Sequence, residues 1–263
     1  MENFLDRFQL PKGLPKNLLG AVVPHAGWAY SGQVAARTLY CLTKDAQPAT
    51  VILLGTDHLG VNHPTVFPEG EWVTPLGSLI VDHILVKTIL EKVETKVVAD
   101  AQAHRQEHAI EVVLPMVSYF WSDCQIVPIT VPPTEESVLL GKQLGLLLEA
   151  LPKDTVVVAS TDLTHYGAPY GLTVAGIGKE GYEWLVRNDG KMLEALCAAH
   201  GDRILQEALQ SQNACGAGTV AALAALMTTR GHGQGYLIEY TTSHASQPVA
   251  NFTYGVGYAG VVY

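Results

Sequence analysis

The chain has 263 residues, and its 16 basic against 25 acidic side chains give a net charge of −9. Because 48% of the residues are hydrophobic and only 16% are charged, the composition excludes a disordered chain, which needs low hydrophobicity and high charge. The acidic balance argues against binding to nucleic acid, which needs a basic face for the phosphates. No apolar run approaches the ~18–20 residues of a membrane span. We therefore expect neither nucleic acid nor a membrane as a partner.

Short apolar runs rich in β-branched residues alternate with longer helical patterns along the chain. The predicted strands cover residues 19–23, 50–54, 125–131, 155–159, 235–241 and 255–262. The predicted helices cover residues 33–43, 81–92, 104–120, 136–151, 171–187, 190–199, 203–211 and 219–229. Several strands are continuously apolar, which is typical of a sheet covered on both faces. The pattern predicts a single α/β domain over residues 1–263, with a mostly parallel or mixed sheet between helical layers.

Histidines follow four of these predicted strands within a few residues. They are His25, His58, His165 and His244. In open α/β sheets, ligands bind in the crevice beyond the carboxyl ends of the strands. If the strands are parallel neighbours, these side chains converge on one edge of the sheet. Since imidazole is the commonest metal ligand and a common acid–base group, that edge is the predicted functional site.

The four cysteines are far apart and form no C-x-x-C motif, and the first residues lack the pattern of a signal peptide. These features predict reduced thiols in a cytoplasmic protein. Cys215 directly precedes the predicted helix 219–229, so the helix dipole favours its thiolate as a nucleophile or a metal ligand. The alternative is a small buried residue in a tight turn.

A second motif, H-x-x-E-H, covers His104 to His108. On a helix, His104, His108 and Glu111 share one face. The motif itself matches the inverted zinc-peptidase signature, in which two histidines bind zinc and the glutamate between them is the base. The competing interpretation is a solvated polar face. The motif is short and leaves the histidines at the strand ends unexplained.

Five motifs occur in a fixed order along the chain. They are P-H-A-G-x-x-Y-S-G (24–32), G-x-D-H (55–58), E-H-x-x-E-V-x-L-P (107–115), S-T-D-L-T-H-Y (160–166) and N-A-C-G (213–216). As a set they resemble the Memo family (mediator of cell motility; in prokaryotes the B protein of the Amme–Memo–radical-SAM trio). That family is similar in fold to class III extradiol dioxygenases, which are non-haem iron enzymes. The resemblance implies a three-layer α/β/α sandwich.

The same resemblance implies a site. Carried over by motif, the metal ligands are His25, His58 and Cys215, and the catalytic acid–base residues are Asp162, His165 and His108. The chain departs from the usual family pattern at two positions. Asp57 stands in a motif that is usually Ser-His, and His244 stands where the family often has glycine.

The resemblance implies a metal-dependent oxidoreductase of dioxygenase type, with Fe(II) as the expected cofactor. A His₂Cys set also suits copper and zinc. Amme-domain and radical-SAM proteins are the expected partner proteins. Three other functions stay open. They are a non-catalytic adaptor that binds a small molecule or a peptide in the same cleft, a metal-free enzyme with Cys215 as the nucleophile activated by His25 or His165, and the zinc peptidase.

Overall fold

A computed structural model describes residues 1–44, 46–151 and 154–263 of the chain. Its strands are β1 (Gly20–Val23), β2 (Thr50–Thr56), β3 (Thr65–Val66), β4 (Glu71–Thr74), β5 (Gly77–Ile80), β6 (Val98–Ala99), β7 (Gln125–Val131), β8 (Thr155–Ser160), β9 (His165–Gly167), β10 (Tyr236–Thr242) and β11 (Tyr254–Val262). Its α-helices are α1 (Glu2–Leu5), α2 (Trp28–Thr43), α3 (His83–Lys92), α4 (Leu114–Phe120), α5 (Glu135–Glu149), α6 (Lys179–Ala198), α7 (Gly201–Ser211), α8 (Ala217–Thr229) and α9 (Ser243–Ser246).

The central sheet has the spatial order β10-β11-β1-β8-β2-β7-β3-β6, and β9 also pairs with β11. Its middle strands β1, β8, β2 and β7 run parallel. On one side β11 and then β10 add antiparallel pairs, and on the other side β3 pairs antiparallel with β7. The predicted mixed sheet is therefore confirmed. A separate hairpin is formed by β4 and β5.

Helices cover the sheet and complete a three-layer sandwich. Helix α8 packs on β1, β2, β7 and β8, with α5 and α7 against it, while α2 packs on β1, β10 and β11. Every residue of α8 from Ala217 to Met227 is buried, as expected for a helix that is apolar on all sides. Small residues bring α5 close to α8, because a Cβ at Gly141 would lie only 2.1 Å from the Ala222 carbonyl oxygen.

The predicted helix 104–120 is wrong. Only Leu114–Phe120 is α-helical, and Gln102–His104 is a short 3₁₀ turn. Pro115 lies in the first turn of α4, where its missing N–H costs nothing, whereas a helix that began at residue 104 would hold this proline in its interior. The intervening residues form turns, so the polar side chains predicted to share a helix face do not lie on one helix.

The predicted helices 171–187 and 190–199 are also corrected. Helix α6 runs unbroken through Gly190, which a helix tolerates at a modest cost. The chain before it is a loop, in which Gly171, Gly176 and Gly178 have φ values of 74°, 71° and 76°. This left-handed conformation suits glycine and ends a helix. The shortest elements, among them β3, β6 and α9, were not predicted because two to four residues carry no periodic pattern.

No helix within the described residues has the length and hydrophobicity needed to cross a bilayer.

Candidate metal centre

Three neighbouring parallel strands end at the same edge of the sheet, β1 at Val23, β8 at Ser160 and β2 at Thr56. The loops that follow them carry His25, Asp162 and His58. Helix α8 begins beside them, directly after Cys215 and Gly216. The expected convergence of the strand-end histidines is thus confirmed for His25 and His58.

His25 is held in one tautomer. Its side chain is 2% exposed, and Nδ1 lies 2.8 Å from the Ser160 Oγ. The Ser160 hydroxyl donates its only proton to the Ala109 carbonyl oxygen at 2.7 Å, so it accepts a hydrogen bond from His25 Nδ1–H. Nε2 of His25 therefore keeps its lone pair, and it lies 3.3 Å from the Cys215 Sγ.

His58 is paired with a buried carboxylate. Its Nδ1 lies 2.8 Å from Glu107 Oε1, and its backbone N–H donates to Glu107 Oε2 at 2.8 Å. Hydrogen bonds with Cys215 and Glu107 raise the pKa of His58 to about 9. Burial alone would raise the pKa of Glu107, but the hydrogen bonds from His58 and Ala109 lower it to about 2. Glu107 is therefore ionised, and Nδ1–H of His58 donates to it.

Cys215 receives a backbone hydrogen bond, from the Asp162 N–H to Sγ at 3.2 Å, and its sulfur also contacts the rings of His25 and His58. The hydroxyls of Thr56 and Thr161 lie 4.0 Å and 3.7 Å from the sulfur. Both hydroxyls donate elsewhere, Thr56 to the Ser160 carbonyl oxygen and Thr161 to the Asp162 carbonyl oxygen. The sulfur is thus bonded to the histidine rings and the Asp162 N–H rather than to these hydroxyls, and the first turn of α8 favours negative charge there.

One ligand atom from each of His25, His58 and Cys215 lies within 4.8 Å of the others. His58, Glu107 and His108 meet the same distance criterion, but there the hydrogen bond between His58 and Glu107 occupies the facing atoms. In the first group the histidine nitrogens not bound to Ser160 and Glu107 face the Cys215 sulfur, and an ion between them would replace these contacts. Two imidazoles and a thiolate form a set that binds zinc, copper or iron. The residues therefore fit a metal ion at His25, His58 and Cys215.

Two further histidines stand close to this group. The His108 ring stacks on the His58 ring with centroids 4.7 Å apart, and its side chain is 54% exposed. Burial and the charges of His25 and His58 lower the pKa of His108. His165 donates from Nδ1 to the Leu163 carbonyl oxygen at 3.0 Å, and burial lowers its pKa as well. Both rings are therefore neutral near pH 7 and able to accept a proton.

Asp162, expected as a catalytic partner of His165, makes its side-chain hydrogen bond elsewhere. Its Oδ1 accepts from the His25 backbone N–H at 2.9 Å, and its Oδ2 lies 4.0 Å from His25 Nε2. The nitrogen of His165 that an aspartate would orient is bound to the Leu163 carbonyl oxygen instead. The structure thus brings Asp162 to the metal ligands rather than to His165.

Two grooves include residues that contact the candidate site, Glu107 in one and Tyr170 in the other. The larger has a volume of about 760 Å³ and is lined by Trp28, Trp72 and Phe67 together with Glu107 and Arg105. The smaller, about 410 Å³, is lined by tyrosines and uncharged polar residues, including Tyr30, Tyr254 and Tyr258. Tyr170 belongs to the smaller groove and also contacts the His165 ring, with centroids 5.0 Å apart. Both grooves have aromatic walls, which suits an organic ligand beside the centre.

The zinc-peptidase interpretation is wrong for this fold. His104 is buried and turned away, because its Nε2 donates to the Thr65 carbonyl oxygen at 3.1 Å and Nδ1 lies 3.4 Å from the Thr130 hydroxyl. His104 belongs to neither group of candidate metal ligands among the described residues. Its role is to pack in the interior.

The two departures from the family pattern have different surroundings. Asp57 accepts hydrogen bonds from three backbone N–H groups, those of residues 59, 60 and 61, so it shapes the loop that carries His58. His244 lies in α9 with its ring against Tyr182 and Phe252. It is outside both ligand groups found among the described residues.

Sequence reasoning missed two members of the site, Glu107 and Ser160. Each holds the far nitrogen of a candidate ligand. Both stand in motifs that were recognised, E-H-x-x-E and S-T-D-L-T-H, beside residues that were selected. The signal was present, since ligating histidines regularly donate their second N–H to a protein oxygen.

Comparison with known proteins agrees with the motifs. A family model described as "Memo-like protein" matches residues 1–262. A MEMO1 family protein of Thermococcus onnurineus is 33% identical over 260 residues, which cover 95% of this chain and 88% of the relative. A MEMO1 family protein of Pyrococcus abyssi is 34% identical over 263 residues, with the same coverage.

One solved structure shares the fold at low sequence identity. It is an uncharacterized protein of Escherichia coli K12, with a TM-score of 0.57 and 13% identity over 94% of this chain and 99% of that one. It supports the three-layer architecture alone. The family model covers nearly the whole chain, and the curated relatives are about one third identical to it. The chain therefore belongs to the Memo family.

Proposed function

We propose that this protein is a metal-dependent oxidoreductase of dioxygenase type, with Fe(II) held by His25, His58 and Cys215. The observation that carries the proposal is the orientation of the two rings: Ser160 and Glu107 each take the Nδ1–H of a histidine, so both Nε2 atoms face Cys215, where one ion would displace the proton that His58 carries. Three protein ligands leave open positions, as in catalytic rather than structural sites.

When bound, the metal would supply activation of O₂ and of a substrate at its open positions. Both oxygen atoms of O₂ would enter the substrate, so the reaction needs no external reductant. The chain's own residues handle the protons. His108 and His165 are neutral bases beside the candidate ligands, and the His108 side chain is half-exposed to solvent.

The choice of metal rests on the donor set. A thiolate in place of the carboxylate of the usual His₂-carboxylate iron site makes the centre softer, so copper and zinc are the alternatives to Fe(II). The carboxylate of Asp162, 4.0 Å from His25 Nε2, adds negative charge and favours a divalent ion over Cu(I).

Metal analysis after anaerobic purification tests the proposal. We expect one iron per chain, bound as isolated or after addition of Fe(II), and a large loss in His58→Ala and Cys215→Ser. The matched control is His83→Ala, which removes an exposed histidine at the start of α3. Oxygen consumption with candidate aromatic substrates then tests turnover. If the protein binds no redox-active metal in stoichiometric amount, the proposal is wrong.

A second candidate is the metal-free enzyme with Cys215 as its nucleophile. The 3.3 Å contact between Sγ and His25 Nε2 favours it, because such a pair is typical of cysteine enzymes. Alkylation separates the two functions. Bound metal would protect Cys215 from iodoacetamide, and removal of the metal would expose it, whereas a free nucleophile would react fast in the protein as purified.

The aromatic grooves also suit an adaptor that binds a small molecule or a peptide without turnover. In that case Trp28→Ala and Trp72→Ala would weaken ligand binding while His58→Ala would not. Amme-domain and radical-SAM partner proteins, and a cytoplasmic location, stay predictions of the family resemblance and of the cysteine pattern.

A further inference from the structure

Glu107 combines deep burial with negative charge beside the candidate metal ligands. Its side chain is 1% exposed, and within the described residues no lysine or arginine forms an ion pair with it. A carboxylate taken out of water is costly unless hydrogen bonds or charges compensate for the loss of hydration. The donors that face it should therefore explain why an acid occupies this position.

Three N–H groups point at this carboxylate. Oε2 accepts from the His58 backbone N–H at 2.8 Å, while Oε1 accepts from the His58 ring Nδ1–H at 2.8 Å and from the Ala109 backbone N–H at 3.0 Å. One carboxylate thus binds both the backbone and the ring of His58. That arrangement fixes the ring rotation, and it also fixes which nitrogen is turned toward His25 and Cys215.

We propose that Glu107 is the positioning residue of the metal centre, which fixes His58 so that Nε2 is the ligand and strengthens it as a donor. The inference rests on the proposed function, since it needs an ion at His58. A carboxylate on the far nitrogen of a ligating histidine orients the ring and raises its basicity, and loss of such a partner typically costs about 10–100-fold in metal affinity.

The chemistry requires a carboxylate of this length. Glutamine has the same shape but only one acceptor oxygen, so in Glu107→Gln its NH₂ group faces at least one N–H of His58 or Ala109. Aspartate keeps the charge but is one methylene shorter, so it cannot bind the backbone and the ring of His58 with the same geometry. We therefore expect Glu107→Gln to bind metal most weakly and Glu107→Asp to fall between Gln and the wild type.

Co²⁺ is the probe, because a bound Cys215 thiolate gives a ligand-to-metal absorption band that reports binding without any activity. Titration of the metal-free protein under argon should give a dissociation constant about 10–100-fold higher for Glu107→Gln than for the wild type. The matched control is Glu111→Gln, the same substitution at an exposed acid outside both ligand groups of the described chain. It should stay within about twofold of the wild type, since it alters no ligand contact.

The outcomes separate the two proposals. If the wild type gives no thiolate band with Co²⁺, the metal centre itself is wrong, and this inference falls with it. If the wild type binds and Glu107→Gln binds equally well, only the positioning role is wrong. Circular dichroism of the metal-free variants checks their folding. If Glu107→Gln fails to fold, the Co²⁺ affinity of Glu107→Asp is the deciding measurement. A Glu107→Asp affinity equal to that of the wild type would overturn the inference.

Discussion

At the scale of single residues, the centre depends on the oxygen atoms behind its histidines. Ser160 accepts the Nδ1–H of His25, as Glu107 accepts that of His58. Unlike Glu107, Ser160 is neutral, and its one hydroxyl proton is donated to the Ala109 carbonyl oxygen. A neutral hydroxyl orients the ring without adding charge. Its loss should therefore cost less metal affinity than the loss of the carboxylate.

Ser160→Ala tests this difference. The variant leaves His25 Nδ1 without its acceptor, so the ring is free to rotate or to change tautomer, and we expect metal affinity to fall by about tenfold, the lower end of the range for such partners. Ser137→Ala, at a buried serine in α5 whose hydroxyl donates to the Thr134 carbonyl oxygen, is the control. Isothermal titration with Zn²⁺ gives the affinities. An unchanged affinity in Ser160→Ala would show that the fold alone holds His25.

Asp189 shows a different use of a buried acid. It is fully buried in α6, where it accepts hydrogen bonds from the Thr164 backbone N–H at 2.9 Å and from the Tyr240 hydroxyl at 2.7 Å. Burial raises its pKa from 3.8 to about 6. The folded protein disfavours the charged form of Asp189. The free energy of unfolding therefore falls as pH rises from 3.8 toward 6, and this loss of stability stays constant at higher pH.

The free energy of unfolding of Asp189→Asn, measured relative to the wild type, should therefore be higher at high pH than at low pH. Asparagine accepts from Thr164 N–H through its oxygen and donates to the Tyr240 oxygen through its NH₂ group, so both contacts survive without the charge. A pKa shift of about two units corresponds to about 3 kcal/mol. We expect the stability of the variant relative to the wild type to rise by about 2–3 kcal/mol between pH 3.5 and pH 8. Urea denaturation at both pH values measures it, and a difference independent of pH would refute the assignment.

At the scale of elements, α8 matters to the candidate centre because Cys215 stands directly before it. The helix is held by glycine contacts on both sides: a Cβ at Gly218 would lie 2.0 Å from the Pro132 carbonyl oxygen, and one at Gly141 would lie 2.1 Å from that of Ala222. These neighbours are backbone atoms, which cannot turn aside as a flexible side chain does. The position of the cysteine thus depends on close packing of α8 against α5.

Gly141→Ala should push these two helices apart. Overpacking of this kind typically costs about 1–3 kcal/mol, and we expect metal affinity to fall too, since the start of α8 must shift. Gly190→Ala is the matched control: it lies within α6 with no atom within 4 Å of its added Cβ, so it should raise stability by about 0.4–1 kcal/mol. Thermal denaturation and Zn²⁺ titration check both variants. Equal effects of the two substitutions would contradict the packing argument.

The same elements show what sequence alone could predict. The strand-end positions of His25 and His58 follow from continuously apolar runs, which are typical of buried parallel strands. Cys215 follows from its place before a helix. Glu107 was missed because residues 105–113 were assigned to a helix, whereas they form turns and irregular backbone, and because its contact with His58 joins positions 49 residues apart. The motifs therefore indicate that each histidine needs an oxygen partner, but which oxygen supplies it depends on the three-dimensional path of the loops.

At the scale of the whole molecule, the centre joins distant parts of the chain. Its candidate ligands lie at residues 25, 58 and 215, in loops that follow two central strands and precede a buried helix. An ion bound there links the two ends of the sequence across the middle of the sheet. Because the unfolded chain does not hold the three ligands together, binding energy becomes folding energy.

Metal should therefore stabilise the protein as one unit. With free metal at 100 times its dissociation constant, the gain is about 2.7 kcal/mol, and if the 263 residues form a single domain, the whole thermal transition should move upward together. Differential scanning calorimetry of the metal-free protein, with and without Zn²⁺, measures the shift. His58→Ala should abolish it, and the surface control His83→Ala should keep it. If only part of the transition moved, the site would belong to one of two independently folding units, and the single-domain prediction would be wrong.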